Sequence, residues 1–301
     1  MRLCDLTERE LARRIRTTGL ALYCGPFIVR ITSPIRAVAE GIGLLYADHS
    51  LPETDNFADL HLTVAPPRGL RSWVRRQAIF TLDGLRPFEP LPIAQAYPLF
   101  EWALNWCIAS VANQYLILHA AVIERQGRAV ILPGPPMSGK STLCAGLISR
   151  GWRLLSDELA LIGTEDRRIV PVPRPISLKN ESLDVIRRFV PGAIFNSVTR
   201  DTTKGTVTHM KVPVEHIMRA NETVPAGWVV FPKYIPGAAA TLTPRKKADS
   251  MMQLGRNAFN YGLLGSLGFD RLGDVVETCQ CYDFQYSDLD QAVEMFRRLS
   301  S

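Results

Sequence analysis

Apolar positions in the first hundred residues alternate between helical spacing and the runs that are typical of strands. The helix-like segments are residues 6–17 and 34–46, and the extended segments are residues 20–31, 57–64 and 73–82. Asp83-Gly84 then gives a turn signal, and the four prolines of residues 86–98 predict a linker. The pattern predicts a smaller N-terminal α+β module over residues 1–95, with a role in recognition or oligomerisation.

Residues 96–301 carry longer apolar segments and predict an α/β domain with a mixed sheet flanked by helices. The predicted helices are residues 99–113, 140–150, 181–189, 244–260 and 289–299, and the predicted strands are residues 115–123, 129–132, 152–155, 159–162, 229–231 and 278–284. Residues 170–213 are the most polar and the least regular, so we expect substrate loops there.

Composition excludes several classes of protein. A chain of 301 residues with 47% hydrophobic content can bury a large core and is not disordered. The formal net charge is +6, but no run of five basic residues occurs, so nucleic acid is not an expected partner. The sequence has neither a signal-peptide core nor an apolar run of eighteen residues, which predicts a cytoplasmic protein without membrane contact. The six cysteines lack a pair of CxxC motifs, and we expect reduced, mostly buried thiols rather than a zinc site.

A phosphate-binding motif follows the strand predicted at residues 129–132. Residues 134–141 match GxxxxGK[ST], between an apolar run and a helix-compatible stretch. Glycines let successive N–H groups point into one concavity, and the helix adds its positive N-terminal end. The predicted nucleotide-binding residues are Gly134, Pro135, Pro136, Met137, Ser138, Gly139, Lys140, Ser141 and Thr142. The alternative is an ordinary Gly/Pro turn with a solvated lysine.

The last two residues of this motif have expected tasks in phosphoryl transfer. Lys140 would neutralise the β and γ phosphates, and the Ser141 hydroxyl would ligate Mg²⁺. Pro135 and Pro136 remove two N–H donors, so the cradle must come mainly from residues 137–141.

An acidic pair, Asp157-Glu158, lies between two predicted strands, seventeen and eighteen residues after Lys140. We predict Asp157 nearer the metal, with either Asp157 or Glu158 as the base that deprotonates the acceptor. A strand-end turn with solvated carboxylates is the alternative. His119 lies in a predicted core strand beside the loop strand, where it is either catalytic or a satisfied core histidine.

Basic residues of the polar segment are the candidates for binding the transferred phosphoryl group. They are Arg174, Lys179, Arg200 and Lys204. The alternative for these residues is an ordinary role as surface bases.

Three segments together resemble the catalytic core of HPr kinase/phosphorylase. They are residues 118–122 (Leu-His-Ala-Ala-Val), residues 134–142, and residues 150–158 (Arg-Gly-Trp-Arg-Leu-Leu-Ser-Asp-Glu). The chain is most similar to the HPr kinase-related proteins, in particular the HprK-related kinase A group. The strong resemblance covers about residues 115–165, and weaker features extend to the C-terminus.

The resemblance implies a P-loop kinase core of the phosphoenolpyruvate-carboxykinase type that uses ATP and Mg²⁺ to phosphorylate a hydroxyl. It assigns Lys140 and Ser141 to the nucleotide phosphates and the metal, His119 to the active-site histidine, and Asp157 to the first acid. Glu158 stands where that family has aspartate. The resemblance also implies a homo-oligomer and a peptide or protein acceptor, such as a small precursor peptide or a peptide chaperone.

The chain lacks the Glu-x-Arg-Gly segment that follows the acidic pair in the bifunctional enzymes, so HPr itself is not the expected acceptor. We therefore predict an ATP-dependent serine kinase acting on a peptide or protein. Two alternatives stay open: a small-molecule kinase on the same scaffold, and a nucleotide-binding regulatory module without turnover.

Overall fold

The computed structural model describes residues 1–54, 57–69 and 76–300 and has a mixed α/β fold. Its first sheet contains five strands among the described residues, in the order β1-β2-β3-β4-β5. They are β1 (Leu20–Cys24), β2 (Phe27–Thr32), β3 (Leu60–Ala65), β4 (Gln77–Leu82) and β5 (Leu91–Pro92). β2 and β3 are parallel, and the other pairs are antiparallel. The predicted strand at residues 73–82 is observed from Gln77, and its first part lies outside the described residues.

Three helices of the described residues pack beside this first sheet. They are Glu8–Arg16, Arg36–Leu45 and Ala96–Val111. Thr7 caps the first helix through a hydrogen bond from the Glu10 N–H. All three contribute side chains to one hydrophobic cluster with the strands, and this cluster also includes Ile117 and Leu161 from the next sheet.

The linker predicted over residues 86–98 is wrong in its second half. Strand β5 and a short 3₁₀ helix, Ile93–Gln95, occupy residues 91–95, and the following helix begins at Ala96 instead of residue 99. Pro98 lies in the first turn of that helix, where a proline is tolerated because its missing N–H would have no intrahelical partner.

The second sheet carries residues 134–141, the loop for which the sequence predicts phosphate binding. Within the described ranges it has eight strands, in the order β10-β9-β6-β7-β14-β16-β15, with β8 paired to β6 beside β9. Its strands are β6 (Tyr115–Arg125), β7 (Arg128–Pro133), β8 (Arg153–Ser156), β9 (Leu159–Gly163), β10 (Arg168–Val170), β14 (Val224–Tyr234), β15 (Thr241–Pro244) and β16 (Gln280–Tyr286). β7, β14 and β16 are parallel, so their carboxyl ends meet at one edge.

The central strands form because their apolar runs are buried on both faces. β6 and β7 are joined by Gln126 and Gly127, both at positive φ, which gives the tight two-residue turn favoured by hairpins. Helix Lys140–Ile148 packs on one face with Trp152 and helix Leu289–Leu299, and the fully buried rings of Trp152 and Phe296 meet edge to face at 5.9 Å. Burying a large apolar side chain of this kind contributes about 1.5–3 kcal/mol.

A third sheet occupies the segment for which the sequence predicts irregular loops. Strands β11 (Ile176–Lys179), β12 (Thr199–Thr202) and β13 (Gly205–Met210) pair antiparallel in the order β11-β13-β12. The expectation of loops over residues 170–213 is therefore wrong for these strands. The helix predicted at 181–189 is observed as Glu181–Phe189.

The remaining helices lie on the C-terminal half. They are Val214–Met218, Lys247–Arg256, Tyr261–Leu264, Ser266–Thr278 and Leu289–Leu299. None of the helices in the described part of the chain combines the length and apolarity needed to cross a bilayer. Five of the six cysteines are buried, and Cys4 is exposed.

Candidate active site

The predicted phosphate-binding loop connects the end of β7 to helix Lys140–Ile148. Gly139 precedes the helix with φ of +92°, a conformation that L side chains rarely adopt. A Cβ at this position would also collide with the hydroxyl of Tyr286, so both backbone and space require glycine. Met137, also at positive φ, lies at the exposed tip of the loop.

Two tyrosines anchor this loop from neighbouring strands. The Tyr286 hydroxyl donates to the Gly139 carbonyl at 2.9 Å, and the Tyr234 N–H donates to the Ser138 carbonyl at 3.1 Å. Tyr286 ends β16 and Tyr234 ends β14, so the three parallel strands hold the loop at their common edge. Neither tyrosine belongs to the sequence motif.

Lys140 is folded back over its own loop. Its Nζ donates to the carbonyl oxygens of Gly134 at 2.7 Å and Pro135 at 3.0 Å. Burial lowers the pKa of the lysine, against the opposing charges of Glu158 and Asp157. A phosphate placed in the loop would provide a stronger partner for the ammonium than the two carbonyls do.

Asp157 lies between β8 and β9 and contacts the start of the loop helix. Its Oδ2 accepts hydrogen bonds from the Ser141 hydroxyl and from the Ser177 N–H, each at 3.1 Å. Its Oδ1 is buried without a hydrogen-bond partner among the described residues. Burial, together with the adjacent charge of Glu158, raises the pKa of Asp157 to about 7.

Glu158 points toward a different set of partners. His119 Nε2 lies 3.1 Å from Glu158 Oε2, and Lys179 Nζ lies 3.8 Å from Oε1. Burial by itself would raise the pKa of Glu158, but the hydrogen bond from His119 and the charge of Lys179 outweigh it and lower that pKa. The His119 ring packs 5.8 Å from the ring of Phe259, which is half exposed.

The four predicted phosphoryl-binding bases fall into different environments. Lys179 pairs with Glu158, and Lys204 Nζ lies 4.8 Å from the centre of the Trp102 ring. Partial burial and the nearby charge of Lys179 lower the pKa of Lys204. Arg200 lies exposed on β12, and in the described structure no hydrogen bond or ion pair joins it to the acidic pair.

Arg174 is turned into the interior rather than toward solvent. Its guanidinium lies 3.5 Å from Glu101 and hydrogen-bonds Asn105. Glu101 in turn accepts from the hydroxyls of Tyr46 at 2.9 Å and Tyr97 at 2.6 Å. The guanidinium is thus already bound by protein groups, which does not fit the predicted role in binding phosphate.

Sequence reasoning missed a small cavity behind the acidic pair. It is lined by Asp157, Glu101, Arg174, Ser177 and His209, among others. The buried ring nitrogens of His209 have no partner among the described groups. Because these residues come from four separate segments, the sequence carried no signal that they meet.

The arrangement has the donors that a magnesium ion prefers. Mg²⁺ takes oxygen ligands, usually one or two carboxylates beside substrate phosphates. The Ser141 hydroxyl, the bonded Oδ2 of Asp157 and its unpartnered Oδ1 supply such oxygens at the helix N-terminus. The residues present therefore fit the ion that the sequence motif implies.

No protein-family model and no curated protein matches the chain. Among solved structures, the chain is weakly similar to the structure of the Hpr(Ser) kinase/phosphatase from Coxiella burnetii. The TM-score is 0.27 and the sequence identity is 13%, over 61% of this chain and 96% of that chain. A score this low does not establish a common fold.

Proposed function

We propose that the protein is an ATP- and Mg²⁺-dependent kinase that transfers the γ-phosphoryl group to a serine, or another hydroxyl, of a peptide or protein. One observation carries the proposal: the adjacent acids Asp157 and Glu158 contact different partners. Asp157 accepts from Ser141 at the loop, and Glu158 contacts His119 and Lys179. This division would let Asp157 serve the donor phosphates while Glu158 serves the acceptor hydroxyl.

On the donor side, residues 134–142 would hold the phosphates, and Lys140 would leave the Gly134 and Pro135 carbonyls to bind them. Ser141 and Asp157 would hold the metal. When bound, Mg²⁺ neutralises charge that develops on the transferring phosphoryl group.

On the acceptor side, Glu158 is the proposed base. Its carboxylate would take the proton of an acceptor hydroxyl as the oxygen attacks. His119 fixes the carboxylate by its hydrogen bond. Lys179 and Lys204 would bind equatorial oxygens of the phosphoryl group in the transition state, with Arg200 as a further candidate. Arg174 is left out of this role because Glu101 and Asn105 occupy it.

We propose a polypeptide rather than a metabolite as the acceptor because an exposed aromatic side chain lies beside His119. Phe259 is 53% exposed, and its ring lies 5.8 Å from that of the histidine. Residues 1–95 would then assist acceptor recognition or self-association.

The test is transfer of ³²P from [γ-³²P]ATP to a serine-containing peptide library in the presence of Mg²⁺. Wild-type protein should label a subset of peptides, and Lys140→Ala should lower labelling at least about a hundredfold. Lys246→Ala, at an exposed lysine away from the loop, is the matched control and should label normally.

Other outcomes separate the alternatives. Labelling of a metabolite library but of no peptide would favour a small-molecule kinase. Tight MgATP binding without transfer to either library would favour a regulatory module. Equal transfer by wild type and Lys140→Ala would contradict the proposed site itself.

A further inference from the structure

The side chain of Tyr234 stands exposed at the edge of the phosphate-binding loop. Tyr234 ends β14, its N–H is bonded to the Ser138 carbonyl, and its Cβ lies 3.2 Å from the position that a Cβ on Gly139 would take. Even so, 48% of the residue remains exposed.

The ring of Tyr234 is held in place by a buried neighbour. Tyr286, only 1% exposed, contacts it edge to face with ring centres 5.8 Å apart and an interplanar angle of 76°. Tyr286 is fixed in turn by its hydrogen bond to Gly139. One side of Tyr234 is therefore in contact with protein, and 48% of the residue is exposed beside the loop.

The surroundings indicate a ligand at this edge independently of the ring. Asp157 is only 5% exposed, yet its Oδ1 has no partner among the described residues, beside the Ser141 hydroxyl at the helix N-terminus. In sheets with parallel strands, ligands bind at the carboxyl ends of the strands, and β7, β14 and β16 all end here. A rigid, open aromatic ring next to an anion site suits a ligand that has both phosphates and a flat ring.

We propose that Tyr234 is the stacking platform for the nucleobase of the nucleotide whose phosphates bind residues 134–142. The inference rests on the proposed nucleotide-dependent function and adds the base subsite to it. Stacking contacts the π face of a base, and every base has such a face. It makes no hydrogen bond to the edge that distinguishes one base from another. The protein should therefore bind MgATP and MgGTP with affinities within about tenfold of each other.

The experiment measures dissociation constants by calorimetry for MgATP, MgGTP and magnesium tripolyphosphate, which has phosphates but no base. Tyr234→Ala should weaken MgATP about 5- to 150-fold, which corresponds to about 1–3 kcal/mol for one stacked base. Its affinity for tripolyphosphate should stay unchanged. Tyr234→Trp should bind MgATP at least as well as wild type.

Tyr282→Ala is the matched control, because Tyr282 is a tyrosine of the neighbouring strand β16 that pairs with Val230, before the end of β14 where Tyr234 lies, and the change should leave every affinity unchanged. Equal weakening of MgATP and tripolyphosphate in Tyr234→Ala would overturn the proposal, since the residue would then only support the loop. Wild-type protein that binds tripolyphosphate as tightly as MgATP would also overturn it, while the proposed function would stand. Wild-type protein that binds none of the three would refute the proposed function as well.

Discussion

Replacing Glu101 by leucine should destabilise the protein strongly. Glu101 is 3% exposed and is the shared acceptor for the hydroxyls of Tyr97 at 2.6 Å and Tyr46 at 2.9 Å. Glu101 Oε2 also lies 3.5 Å from the buried guanidinium of Arg174. Leucine fills much of the same space but accepts no hydrogen bond, so three buried polar groups lose a partner in one substitution.

The expected loss follows from these contacts. Removing one partner of a buried ion pair costs about 3–5 kcal/mol, because the remaining charge is left uncompensated. Each buried hydroxyl without an acceptor adds about 1–3 kcal/mol, less where water enters the adjoining cavity. We expect the free energy of unfolding to fall by at least about 4 kcal/mol, a large share of the roughly 5–15 kcal/mol typical of folded proteins.

The assay is urea unfolding followed by tryptophan fluorescence for Glu101→Leu, Arg174→Met and the double variant. The double variant should be less destabilised than the sum of the single ones, by about 0.5–3 kcal/mol, because it leaves no unpaired charge. Glu89→Leu, at an exposed glutamate, is the control and should change stability by less than about 0.5 kcal/mol. A loss below about 1 kcal/mol in Glu101→Leu, or strict additivity, would refute the reasoning.

Two further predictions concern buried histidines and the loop. Burial lowers the pKa of His49 and His216 to about 4 and of His209 to about 3, so the unfolded chain takes up protons first as the pH falls below the ordinary value of 6.5. The free energy of unfolding should then fall by up to about 1.4 kcal/mol per pH unit for each histidine, down to the pKa of that histidine in the folded state. Urea midpoints measured at several pH values should show a shallower pH dependence in His209→Gln than in wild type. Gly139→Ala should abolish measurable MgATP binding in calorimetry, whereas Gly127→Ala, which has similar positive φ but open space around it, should lose only about 1–3 kcal/mol of stability and bind normally.

Much of the framework around the loop was predictable from the sequence. The continuous apolar runs of β6 and β7 predict buried strands because side chains on both faces must be apolar. The helices Glu181–Phe189 and Leu289–Leu299 coincide with their predicted bounds, since charged and apolar residues repeat at helical spacing and Asp288 caps the second helix.

Other elements depend on packing that the sequence does not display. Strand β12 is short and polar, and β13 begins with Gly205, so their local pattern is that of a loop, and pairing with β11 makes them a sheet. Helix Ser266–Thr278 contains Gly268 and Gly273, which lower helix propensity, and tertiary contacts override this preference.

Of the candidate site, the sequence indicates only the loop residues and the acidic pair. The contact of Glu158 with His119 requires the register that pairs His119 with Leu159, which apolar patterning alone does not fix. Arg174 and Glu101 are 73 residues apart in sequence, so local patterning does not show that they pair. Without that pairing, the basic side chain of Arg174 is an ordinary candidate for binding phosphate.

The division of work between the two acids is tested most directly by Glu158→Gln. Glutamine keeps an oxygen that accepts the hydrogen bond of His119 but cannot take a proton from the acceptor. The measurement compares kcat for the best acceptor peptide with the dissociation constant of MgATP, in wild type and in Glu158→Gln. We expect kcat to fall about 10²- to 10⁴-fold, the usual contribution of a general base, with the MgATP affinity unchanged within about threefold. A variant that keeps kcat within about threefold of wild type, or that loses MgATP binding in proportion to its rate, would contradict the assignment of Glu158 as the base.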